Sequence, residues 1–109
     1  MATQPDSTTA PPVEEHKLVV LGTANLRPAT VEHLEEARFR AALPFIVAPF
    51  DEGFFVSCVG VREGKARIEP DDLWQCRRWA HVRGYRYVMF DRDAESFVEG
   101  LDDYSAEWE

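Results

Sequence analysis

The sequence predicts an α+β domain of ferredoxin-like β-α-β-β-α-β order: two helices on one face of an antiparallel sheet, then an acidic C-terminal extension. Three observations lead there. Apolar runs of strand length alternate with stretches of helical spacing. Pro and Gly stand at the boundaries of those runs. Acidic residues gather after the last apolar run.

Met1 to about Glu15 is rich in Pro, Thr, Ser and Ala and has one large apolar residue, so it cannot bury enough surface to offset the entropy of ordering. This predicts a disordered tail over residues 1–16 and a single domain over 17–109. Leu18-Val19-Val20-Leu21 reads as a buried strand stopped by Gly22-Thr23. Pro28 suits the first turn of a helix. Val31, Leu34, Ala37 or Arg38, and Ala41 continue it at helical spacing, with Glu32, Glu35 and Glu36 outward, until Pro44. Phe45 to Ala48 is the second strand. Pro49-Phe50-Asp51-Glu52-Gly53 supplies a hairpin turn, and Phe54 to Val61 the third strand. Arg62 to Lys65 reads as a turn before a short strand at Ala66 to Ile68. Pro70 opens the second helix, with Asp71 and Asp72 at the positive end of its dipole. Leu73, Cys76, Trp79 and Ala80 form its inward stripe, and Gly84 stops it. Tyr85 to Phe90 is the last strand.

Composition narrows the function. The chain has 109 residues, 45% of them hydrophobic, which suits one packed domain. Its net charge of −8 argues against direct duplex DNA binding, which needs a basic footprint. Two cysteines make no disulfide framework, and no Cys/His spacing suggests zinc. No apolar run approaches the roughly 20 residues of a membrane span. A cytoplasmic protein with no cofactor and no membrane partner is expected.

The charge is unevenly placed. Residues 17–90 sum to +2, whereas Asp91, Asp93, Glu95, Glu99, Asp102, Asp103, Glu107 and Glu109 face Arg92 alone, a sum of −7. Phe97, Leu101, Tyr104 and Trp108 are interleaved with those acids, which a purely solvating tail would not need.

The stretches LGTANLRPATVEHLEE, PFIVAPFDEGFFVSCV, EPDDLWQCRRWAHVRGYRYVMFDRDAE and GLDDYSAEW together resemble a family of uncharacterised small proteins carried on bacterial plasmids and other mobile elements. The resemblance covers roughly Leu18 to Trp108. It implies accessory cargo of mobile DNA, where defence evasion and transfer functions are common, and assigns no reaction.

Side-chain chemistry supplies the candidate sites. Asp91 and Asp93, at a strand end, have the donor type for a divalent cation, but two carboxylates from one element need further ligands, and no Gly-rich phosphate cradle is present. Cys58 and Cys76 read as core residues, with neither His33 nor His81 brought to them by the pattern. His16, His33 and His81 share no metal-binding spacing. Ser57, Thr23 and Ser96 lack a nucleophile elbow. Arg77, Arg78, Arg83 and Arg86, counted with Lys65 and Arg67, would form a basic patch, with Phe54, Phe55, Tyr85 and Tyr87 as stacking platforms for RNA; attraction between these arginines and the acidic tail is the competing reading. If extended, Asp91, Asp93 and Glu95 would share one face about 6.6 to 7 Å apart and imitate phosphates.

The residues expected to meet a partner are therefore Asp91, Asp93, Glu95, Glu99, Asp102, Asp103, Tyr104, Glu107 and Trp108. The expected function is non-enzymatic: an acidic surface, a DNA mimic, that blocks a host nucleic-acid-binding protein, an inhibitor of anti-CRISPR or anti-restriction type. A small metal-dependent enzyme or nucleotide binder using Asp91 and Asp93 is the alternative, and a structural homodimer a third.

Overall fold

The computed structural model describes residues 12–61 and 69–108. The expected strand at Ala66 to Ile68 and its turn fall outside them, as do the first eleven residues of the tail and the Lys65 and Arg67 of the expected basic patch. Pro12 to Lys17 have no regular structure, and four strands come after them: β1 (Leu18–Gly22), β2 (Val47–Phe50), β3 (Gly53–Ser57) and β4 (Tyr87–Asp91). Three α-helices accompany them: α1 (Pro28–Leu34), α2 (Ala37–Ala42) and α3 (Asp71–Val82). One-turn 3-10 helices stand at Thr23–Asn25 and Ser105–Trp108.

The α+β class holds, with a four-stranded open sheet, but its order is β1-β4-β3-β2 and it is mixed. β1 runs parallel to β4, and β4–β3 and β3–β2 are antiparallel. The expected all-antiparallel sheet is thereby corrected. A split β-α-β unit leaves a strand's width between its parallel strands. Here β1 and β4 lie side by side, joined through main-chain bonds at Lys17, where the Arg86 N–H donates to the Lys17 carbonyl at 2.9 Å.

Element boundaries also differ, and the third strand, expected to run to Val61, ends at Ser57. The single helix expected from Pro28 to Ala41 breaks at Glu36, whose backbone is extended (φ −91°, ψ 121°). A continuous helix would stack the like charges of Glu32 and Glu36 at i, i+4, which disfavours it. β2 runs through Pro49 and Phe50, so the hairpin turn is only Asp51-Glu52. Pro49 is tolerated because β2 is an edge strand, where a missing N–H costs no ladder bond. α3 matches expectation, from Pro70 in extended conformation to Gly84 at φ +89°.

One face of the sheet is the core. Leu21, Phe90 and Phe54 stand in register across β1, β4 and β3, with Val88 and Val56 one step along. Leu26, Val31, Leu34, Leu73, Cys76 and Ala80 close over them, and all are buried. Each large side chain so buried contributes roughly 1.5–3 kcal/mol. Both cysteines lie in this core as free thiols. Burial pushes the Cys58 thiol up to about 11, and burial followed by the nearby Asp72 carboxylate raises that of Cys76 further.

Arg77 is the exception among the core residues, since it is 1% exposed rather than part of a surface patch. Its Nε donates to the Ser57 carbonyl at 2.9 Å, one terminal nitrogen to both Glu69 oxygens, and the other to the Val59 carbonyl at 2.7 Å. The guanidinium lies 3.5 Å from the centre of the Phe45 ring. Every part of the cation has a partner, which is what makes burying it tolerable.

Candidate protein-binding surface

The C-terminal segment begins where β4 ends. Asp91 turns the chain at once: one of its carboxylate oxygens accepts the Asp93 N–H at 2.8 Å, and its carbonyl accepts the Ala94 N–H at 3.0 Å. This is an Asx turn, so Asp91, Asp93 and Glu95 are not an extended phosphate-like row. The chain then passes over Gly22, where a Cβ would lie 2.8 Å from the Ala94 carbonyl oxygen, so only glycine allows the approach.

Asn25, 2% exposed, fastens the segment beyond that crossing. Its side-chain NH2 donates to the Ser96 carbonyl at 2.7 Å and to the Asp102 carbonyl at 2.9 Å, and its oxygen accepts the Gly22 N–H at 3.2 Å. The Tyr104 N–H donates to the Ala24 carbonyl at 2.7 Å, the Trp79 ring N–H to the Glu99 carbonyl at 3.0 Å, and the Trp108 ring N–H to the Leu26 carbonyl at 3.0 Å. Gly100 makes the bend between these ties at φ +92°, with its α-carbon face against Trp79.

With the backbone held inward, the acids point out. Asp93, Glu95, Glu99, Asp102, Asp103 and Glu107 are exposed, and Asp91 is half-buried. Asp103 accepts from the Ser105 hydroxyl and N–H and from the Ser96 hydroxyl, which holds its carboxyl below the usual range. Burial and the Asp102 carboxylate raise the Tyr104 hydroxyl, which donates to Asp102 at 3.3 Å.

The expected anchors divide. Tyr104 is half-buried beneath the Arg27 guanidinium at 4.9 Å, whereas Phe97 is 83% and Trp108 41% exposed. The expected attraction between the arginines of α3 and the acidic segment takes another form: Arg77 goes to Glu69, and Arg83 stacks on Trp79 at 4.3 Å. Arg27 meets Glu107 instead, at 3.9 Å. The aromatic set proposed for stacking is likewise split, with Phe54 in the core, Tyr85 stacked on Trp79, and Phe55 and Tyr87 together 4.9 Å apart.

Sequence reasoning missed Asn25 as the clasp. Its signal was a lone amide within Gly22-Thr23-Ala24-Asn25, directly after a buried strand.

Among the described residues, no group of three or more His, Cys, Asp or Glu is placed to hold a metal ion. A cleft of about 270 Å³ between α1, α2 and the β2–β3 turn is lined by Val31, Phe54, Glu35, Arg40, Glu52 and Arg92 among others, and a second, of about 410 Å³, by His16, Cys58, His81 and Arg86 among others. Among the described residues no helix is long and apolar enough to cross a membrane.

Fold and surface together define a small α+β domain with one covered sheet face and a clasped acidic C-terminal segment. The chain belongs to the family of unknown function DUF5983, whose C-terminal domain it matches over residues 18–106. No curated protein and no solved structure matches it.

Proposed function

We propose that the protein is a non-enzymatic binding module whose acidic C-terminal segment seats in the basic groove of a host nucleic-acid-binding protein and blocks it. The observation that carries this reading is the clasp. Asn25, Trp79 and Trp108 hold the backbone of residues 96–108 inward while the carboxylates stay in water. Acids on an ordered segment lose less entropy on binding than acids on a solvated tail. A field of one sign also steers association with a basic partner. Asp93, Glu95, Glu99, Asp102 and Glu107 supply the charge, Asp91 and Asp103 shape the segment, and Phe97 is the anchor that the fold leaves outside. Tyr104 supports the surface from beneath, and Trp108, 41% exposed and tied by its ring N–H to Leu26, stands at its edge.

The resemblance to proteins of plasmids and other mobile elements supplies the setting: an accessory of mobile DNA acting in the cytoplasm on an anti-phage or anti-plasmid defence complex.

The test is a pull-down from nuclease-treated bacterial lysate, eluted with rising salt, comparing wild type with the triple variant Asp93→Lys, Glu99→Lys and Glu107→Lys. The Asp93 and Glu99 side chains stand outside the bonds that tie the segment down, and Glu107 gives up only an exposed pairing with Arg27. Release of a nucleic-acid-binding complex at moderate salt by wild type, and its loss in the variant, is the expected result. Equal capture by both proteins overturns the reading.

A further inference from the structure

The core occupies one face of the sheet, and the other face is apolar too. Register places Val20, Met89, Phe55 and Ala48 in one unbroken row across all four strands. Leu18 and Tyr87 flank this row on one side and Phe50 on the other. Val20 is 47% exposed, Phe50 38% and Leu18 37%. Contiguous apolar patches of this kind mark interaction sites on soluble proteins.

The two ends of the face carry opposite charge. At the start of β4 the Arg86 guanidinium reaches over the Tyr87 ring, its Nε donating to the phenol oxygen at 3.3 Å. The His16 ring also stands edge-on to Tyr87 and is hydrogen-bonded to the Glu14 carboxylate. At the far end Asp91 sits in register between Gly22 and Gly53, beside the Asp51-Glu52 turn.

We propose that this face binds a second copy of the chain, the two sheets packed face to face with their strands antiparallel. The polarity selects that arrangement. A two-fold axis across the strands at the Met89 row lays Arg86 of each copy on Asp91 of the other, two ion pairs per dimer, while the apolar rows meet each other. An axis along the strands would instead bring the two acidic ends together. A nucleic acid is disfavoured by Asp91 on the face and by the net charge of −8. Four strands by five residues span about 19 by 17 Å. That is on the small side for an interface, since stable ones bury about 800 Å² per partner, so the dimer is concentration-dependent.

Sedimentation equilibrium of the full chain over a dilution series tests this. Wild type should show a reversible monomer–dimer equilibrium. Val20→Lys with Met89→Lys should be monomeric with an unchanged far-UV spectrum, because Val20 is already half in water. Arg86→Glu should weaken association about tenfold, as should Asp91→Lys, and the two together should restore most of it. A wild type that is monomeric throughout overturns the proposal, and so does a dimer indifferent to the lysine pair. Mass gained only on adding a single-stranded oligonucleotide also overturns it and assigns Phe55 and Tyr87 to base stacking. The lysine substitutions at Asp93, Glu99 and Glu107 leave this face intact, so the two readings fail separately.

Discussion

The body of the domain and its C-terminal segment are held by different physics. In the body, apolar side chains at strand and helix spacing bury one another, and backbone groups pair along ladders. In residues 92–108 the only regular structure is one 3-10 turn, Val98 and Leu101 pack on the core, and most of the remaining ties are a side chain meeting a backbone group: Asn25 to Ser96 and Asp102, Trp79 to Glu99, Trp108 to Leu26. The first kind of order is cooperative and spread over many contacts. The second rests on a few directional bonds, so it can be lost without unfolding the rest.

The sharpest way to break the contrast is to remove a directional clamp from inside the body. Arg77→Ala leaves Glu69 buried without its cation and frees two carbonyls, and should cost about 3–5 kcal/mol in urea unfolding. Replacing Arg77 and Glu69 together with Met and Leu should recover part of that loss. A loss below about 1 kcal/mol for Arg77→Ala would place the pair among the weak surface type.

Asn25→Ala is the matching change for the segment. It orphans the Gly22 N–H and the carbonyls of Ser96 and Asp102, at about 2 kcal/mol, concentrated in docking rather than global stability. Amide exchange should quicken over residues 96–108 while Val88 and Phe90 stay protected. Uniform loss of protection would mean that segment and body are one cooperative unit.

The smallest effect is electrostatic. The Asp103 carboxyl is held below its usual range by Ser105 and Ser96, so its contribution to the segment's own shape is full above the ordinary aspartate value and fades as pH falls through the depressed one. The Ser105 amide shift in an NMR titration should track that acid step in wild type and lose it in Asp103→Asn.

How much of this was legible in the sequence obeys the same division. Leu18 to Gly22, the Pro70 start and Gly84 stop of α3, and the apolar β4 all read directly from period and punctuation. The pairing of β1 with β4 did not, because strand order depends on contacts between residues about seventy apart, which periodicity does not carry. Pro49 misled in the other direction: it reads as a turn residue, yet an edge strand accepts it. In the segment, the acids and aromatics were visible as a composition, but which of them turn inward depends on Asn25 and on the left-handed bend at Gly100. Arg77 stands four residues after Leu73 and three before Ala80, on the buried stripe of α3, as Arg78 does not, but its charge argued for the surface until Glu69 was seen beside it.

That buried arginine has a consequence for protein engineering. By gripping the Ser57 and Val59 carbonyls and the Glu69 carboxylate, it fixes both ends of the connection between β3 and α3 from inside the body. Once both anchor points are set, the length of chain between them matters little: doubling it costs only about 0.6 kcal/mol of closure entropy. An insertion between Val59 and Glu69 should therefore lower stability in urea unfolding by much less than Arg77→Ala does.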